Sequence, residues 1–152
     1  MPLIDRLLPK VISPRTHGIL DYVHAGTNFL IGTLLLRSDR RAATGAFLLG
    51  AGVLANALLT DYPLGVFRLY SFETHGALDY GIASATTAMP KLMGVETSEA
   101  KTFFRMQGVG ETAIAGLTNY RDRSAAKHFR SEKRFIRRAA QSAPTSGRWR
   151  QA

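Results

Sequence analysis

The chain has 152 residues, no cysteine, a formal net charge of +9 and a mean hydropathy of −0.05. The length fits one domain. The missing thiols exclude disulfides, thiolate metal sites, iron–sulfur clusters and cysteine nucleophiles. Residues 1–120 hold 10 Lys+Arg against 9 Asp+Glu, whereas residues 121–152 hold 10 against 2. The basicity, which on its face suggests a nucleic-acid or anionic-membrane partner, therefore belongs to a C-terminal tail. The mean hydropathy averages a greasy body with that tail.

Residues 1–12 (MPLIDRLLPKVI) read as a short interfacial segment or a lead-in. Asp5, Arg6 and Lys10 interrupt the apolar residues, and no signal peptide is expected. Four apolar segments follow, at about 17–36, 42–59, 75–93 and 102–118. Each approaches the roughly 20 residues that cross a bilayer core as a helix. The second is the cleanest, with no ionisable group from Ala42 to Thr60. The third carries Asp79, Pro90 and Lys91, and the fourth Arg105 and Glu111. Small residues recur at four-residue spacing, as in Ala42/Ala46/Gly50, Gly81/Ala85 and Gly108/Thr112/Gly116, the pattern of close helix packing in membranes. A soluble bundle would show a charged outer face on each helix, and the second segment has none.

The body repeats itself at an offset of 58. SPRTHGILDY (13–22) matches SFETHGALDY (71–80), Gly50-Ala-Gly52 matches Gly108-Val-Gly110, and Leu59-Thr-Asp-Tyr62 matches Leu117-Thr-Asn-Tyr120. About 18 of 50 aligned positions are identical without a gap. The expected architecture is all-α: a four-helix transmembrane bundle of two tandem hairpins (13–62 and 71–120) related by a pseudo-twofold axis along the membrane normal. Ser13 and Ser71 read as helix N-caps, with Pro14 at the first helical position.

The stretch TDYPLGVFRLYSFETHGALDY (60–80) resembles the SPW-repeat proteins, small bacterial integral membrane proteins built of tandem two-helix repeats. The matching residues are Tyr62, Gly65, Arg68, His75 and Asp79. Where that family has Ser-Pro-Trp, this chain has Met89-Pro90-Lys91, with Gly94 following and the tryptophan missing. The resemblance implies a membrane location, spans roughly residues 13–120, and implies no particular activity.

The two His-Gly-x-Leu-Asp-Tyr copies place His17, Asp21, Tyr22, His75, Asp79 and Tyr80 near one end of the bundle. Each Asp lies one helical turn from its His. Gly18 and Gly76 are expected to let the first and third helices cross closely, so that the four His and Asp groups converge. Ionisable groups inside membrane helices are functional candidates by default. The leading reading is structural: the His/Asp pairs clamp the helices, and each Tyr anchors at the lipid interface. A second is a site for haem or a divalent metal held by His17 and His75; no cofactor is assigned. A third is a proton or ion path in which His24, Asn56 and Glu111, polar only in one repeat each, act as relays. No phosphate-binding loop, nucleophile elbow or His-Glu-x-x-His motif is present, and no catalytic residue is assigned.

The stretch 124–141 reads as a basic amphipathic helix with Lys127, Arg130, Lys133, Arg134, Arg137 and Arg138 opposite an apolar face, followed by a disordered end. Its expected partner is the anionic leaflet of a membrane rather than nucleic acid. Partnership in a homo-oligomer or a larger membrane complex is compatible with the pattern. The positive-inside rule puts both termini in the cytoplasm of a bacterial inner membrane, against the contrary loop charges Arg37, Arg40 and Arg41.

Overall fold

A computed structural model describes residues 8–122. The chain is mostly helical there, with four helices: α1 (Pro14–Leu35), α2 (Arg40–Leu59), α3 (Phe72–Met93) and α4 (Ser98–Leu117). The strands β1 (Thr60–Asp61) and β2 (Tyr70–Ser71) pair in parallel, Thr60 with Tyr70 and Asp61 with Ser71. A second parallel bridge joins Ile12 to Thr118. A shift of 58 residues carries both ends of α1 onto α3 and both ends of α2 onto α4; it also carries Ile12 onto Tyr70 and Thr60 onto Thr118, so the two parallel bridges are counterparts of each other. The segment before each hairpin thus lies against the end of the other hairpin, and both bridges sit at one end of the bundle.

Each helix starts two to four residues before its apolar segment, because caps and polar first turns lie outside a hydropathy reading. Ser13 Oγ accepts from the Thr16 N–H with Pro14 in the first helical turn, and Ser71 Oγ repeats the arrangement with Thr74. Asp39 caps α2 through the Ala42 N–H at 2.9 Å. Pro90 falls in the last turn of α3, and Gly94 ends that helix at φ 62, a left-handed conformation suited to glycine. Residues 8–12 are not helical. Ile12 is tied at both backbone groups, donating to the Leu117 carbonyl and accepting from the Asn119 N–H. Residues 1–7 and the whole basic segment, including Lys127, Arg130, Lys133, Arg134, Arg137 and Arg138, lie outside the described residues.

α1 packs on α2, α3 on α4, and α2 on α3. An apolar cluster of Ala42, Ala46, Leu49, Met89 and Phe104 fills the end near the α1–α2 and α3–α4 turns. An aromatic cluster of Tyr62, Phe72 and Tyr120 fills the other. Between them the interior is polar: His17, Asn28, Asn56, His75 and Thr86 are all buried. Large apolar side chains instead face outward, among them Val23 (61% exposed), Leu34 (65%), Leu48, Leu92 and Val109. Among the described helices only α2 is long and apolar enough to cross a membrane by length and composition. The other three are as long, but ionisable groups lower their mean hydropathy.

The small-residue pattern divides on inspection. Ala42, Ala46 and Gly50 are buried, and a Cβ on Gly50 would meet Asn28 Cβ at 3.1 Å. Gly52, Gly81 and Gly110 face open space. Only the first glycine of each Gly-x-Gly pair is a packing position, since two residues along a helix turn the second away from the contact.

Candidate functional site

The aromatic end of the bundle holds the two His-Gly-x-Leu-Asp copies. Ser13 and Ser71 set the starts of α1 and α3, which puts His17 and His75 in their first turns. Both imidazoles are buried, 2% and 0% exposed. Their Nε2 atoms approach to 3.1 Å. His17 Nε2 lies 3.3 Å from Asp21 and 3.0 Å from Asp79; His75 Nε2 lies 3.4 Å from Asp21 and 3.2 Å from Asp79. The four groups expected to converge do so, and each imidazole faces both carboxylates.

Two threonines fix the opposite side of each ring. Thr118 Oγ1 stands 2.8 Å from His17 Nδ1, and Thr60 Oγ1 stands 2.7 Å from His75 Nδ1. Each hydroxyl donates its one proton to the carbonyl four residues back, Thr118 to Ile114 and Thr60 to Asn56. Each can only accept from the imidazole, so both histidines carry their proton on Nδ1. Both Nε2 atoms then point their remaining valence at the carboxylates and at each other. Each threonine belongs to the other hairpin from the histidine it holds.

The carboxylates are held in turn. Tyr120 donates to Asp79 Oδ2 at 2.6 Å, Asn56 Nδ2 donates to Asp79 Oδ1 at 2.8 Å, and Tyr62 donates to Asp21 Oδ2 at 3.3 Å. Tyr70 donates to Asn56 Oδ1 at 2.6 Å, fixing the orientation of that amide. Burial, and then the Asp21 charge, push the Tyr62 hydroxyl well above the ordinary phenol range; burial and Asp79 do the same to Tyr120. Both remain donors at any physiological pH. Phe72 stacks on Tyr62 with ring centroids 5.5 Å apart and lies 4.9 Å from Tyr120, closing the end of the site.

Gly18 and Gly76 serve these tyrosines rather than a helix crossing. A Cβ on Gly18 would come within 2.5 Å of the Tyr62 ring, and one on Gly76 within 2.7 Å of the Tyr120 ring. The motif tyrosines have other places. Tyr22 donates to the Leu64 carbonyl at 2.8 Å, and the Tyr80 hydroxyl lies beside Gly116. Tyr62, Tyr120, Thr60 and Thr118 are the site residues that sequence reasoning missed. Their signal was the repeated Thr-x-Tyr at 60–62 and 118–120.

A cavity of about 40 Å³ opens from the cluster toward the middle of the bundle. His17, Asp21 and Asp79 line one side; His24 and Glu111 line the other, His24 Nε2 lying 2.9 Å from Glu111 Oε1. Thr86 and Gln107 also bond Glu111 Oε1, and Gln107 reaches Asn28. Asn56 therefore joins the cluster directly, whereas His24 and Glu111 form a separate pair across the cavity.

His17, His75 and Asp79 offer ligand atoms close enough together for one metal ion. The residues do not fit haem: a porphyrin needs a flat slot between two axial imidazoles, and these rings meet nitrogen to nitrogen. No protein-family model, no curated protein and no solved structure matches this chain.

Proposed function

We propose that the chain is a small integral membrane protein, a bundle of two duplicated hairpins whose His/Asp core clamps the helices in a structural or interaction role. The observation that carries this reading is the inverted distribution of side chains. Apolar residues such as Val23, Leu34 and Leu48 are exposed while histidine, aspartate, asparagine and threonine are inside. In water this arrangement forfeits the burial that drives folding. In lipid, helices gain nothing by burying leucine against each other, and polar bonds together with small-residue contacts hold them. The 58-residue offset between helix ends supports duplication and a pseudo-twofold axis. The resemblance to SPW-repeat proteins belongs to the same proposal, as do a bacterial inner membrane, cytoplasmic termini and a tail lying on anionic lipid.

Membrane fractionation tests it. The protein is expected in the membrane pellet after an alkaline carbonate wash and to need detergent for release. Recovery in the supernatant would reject the proposal. Joint replacement of His17 and His75 by Ala is expected to cost about 3 kcal/mol or more, the scale for breaking a buried charged network, read as a lower unfolding midpoint in detergent. An unchanged midpoint would reject the clamp.

A further inference from the structure

We propose that His17 Nε2, His75 Nε2 and Asp79 Oδ2 bind one divalent transition-metal ion of the zinc class, with Asp21 supplying the second negative charge. The proposal deepens the clamp reading by naming a ligand for the same cluster. Three independent features of the site point to it.

The first is the fixed tautomer. The single proton of each threonine hydroxyl is committed to a carbonyl, which forces both imidazoles to be protonated on Nδ1. With both Nε2 atoms unprotonated, their lone pairs lie 3.1 Å apart and face carboxylates, and a cation among them removes that repulsion. Metal-bound histidines characteristically donate their other ring N–H to an oxygen acceptor, and both do so here.

The second is spacing. Ligands about 2.0–2.1 Å from a tetrahedral ion stand roughly 3.3–3.4 Å from one another. The three proposed ligand atoms are 3.0, 3.1 and 3.2 Å apart, so a shift of a few tenths of an ångström opens the triangle to an ion. Nitrogen and carboxylate donors in this number suit zinc rather than magnesium or calcium, which prefer all-oxygen sets.

The third is charge and support. Two carboxylates balance a dication once both Nε2 atoms serve as neutral ligands, which a buried site requires. Tyr120 and Asn56 each bond one oxygen of Asp79, and Tyr62 bonds Asp21, the outer hydrogen bonds that orient ligating carboxylates. The cavity beside the site, lined by His17, Asp21 and Asp79 among others, gives room for a water next to the ion.

The test uses the full-length protein in detergent, stripped with a chelator and titrated with Zn²⁺ against a chelating dye and with Co²⁺ by visible absorption. One equivalent of zinc is expected, together with the strong visible bands of low-coordinate cobalt. Asp79→Asn and His75→Ala are each expected to weaken zinc binding more than 100-fold. Thr118→Val is expected to weaken it about 10–100-fold, the range for an outer-shell partner, and Thr118→Ser to restore it. Circular dichroism of each sample shows whether the variant has folded, and the wild-type titration stands even where one has not. A folded wild-type chain that takes up no stoichiometric zinc overturns the proposal, as does a cobalt spectrum unchanged in folded Asp79→Asn. Either result leaves the clamp reading intact, because that reading is decided by fractionation and by unfolding of the metal-stripped protein.

Discussion

Tyr62 and Tyr120 hold matching places but grip their aspartates unequally, at 3.3 Å and 2.6 Å. A hydrogen bond to a charged group contributes about 1.5–3 kcal/mol. Tyr120→Phe is expected to fall in that range, and Tyr62→Phe below it, in detergent unfolding of the two variants. The glycines beneath these rings make a sharper contrast. Gly18→Ala and Gly76→Ala push a methyl into an aromatic ring and are expected to cost about 1–3 kcal/mol. Gly52→Ala and Gly110→Ala meet nothing within 4 Å and are expected to stabilise by about 0.5–1 kcal/mol, since alanine restricts the unfolded chain. Unfolding midpoints that failed to separate the two pairs would contradict the packing described.

At the scale of elements, caps decide where helices begin. Asp39 caps α2 and also accepts from Thr97 Oγ1 at 3.1 Å, which joins the start of α2 to the residue before α4. The Ala42 N–H leads in holding its carboxyl below the ordinary range, with Thr97 adding to the effect against a smaller cost of burial. A carboxyl depressed in the folded state stabilises above its unfolded pKa of about 3.9 and loses that contribution as pH falls through the lower folded value. Asp39→Ala is expected to cost about 1 kcal/mol at neutral pH. The difference from wild type should shrink in unfolding measurements carried below about pH 4.

Across the whole molecule, the two hairpins are interlocked rather than merely adjacent. His17 of the first is held by Thr118 of the second, and His75 of the second by Thr60 of the first. Asn56 and Asp79 make a further bond between halves. Either hairpin alone would leave its imidazole without the threonine on Nδ1 and without the second carboxylate. Residues 1–66 and 67–152 expressed together are expected to co-purify, and either piece alone to be degraded. Accumulation of a single hairpin at wild-type levels would show that the cross-bonds contribute little.

Helical content, the four-segment plan, the 58-residue offset and the His/Asp motif were legible in the sequence, because hydropathy, capping residues and repetition are local properties. Convergence of His17, Asp21, His75 and Asp79 followed from applying the repeat to helix geometry. The roles of the tyrosines did not. Tyr22 and Tyr80 stand inside the motif, yet Tyr62 and Tyr120, more than 40 residues from their aspartates, supply the hydrogen bonds. Nor did one-dimensional spacing reveal that Gly18 and Gly76 make room for aromatic rings, or that Thr60 and Thr118 fix the histidine tautomers. Those facts depend on which ends of different helices meet, and only the tertiary structure, which brings the end of each hairpin against the start of α1 or α3, decided them.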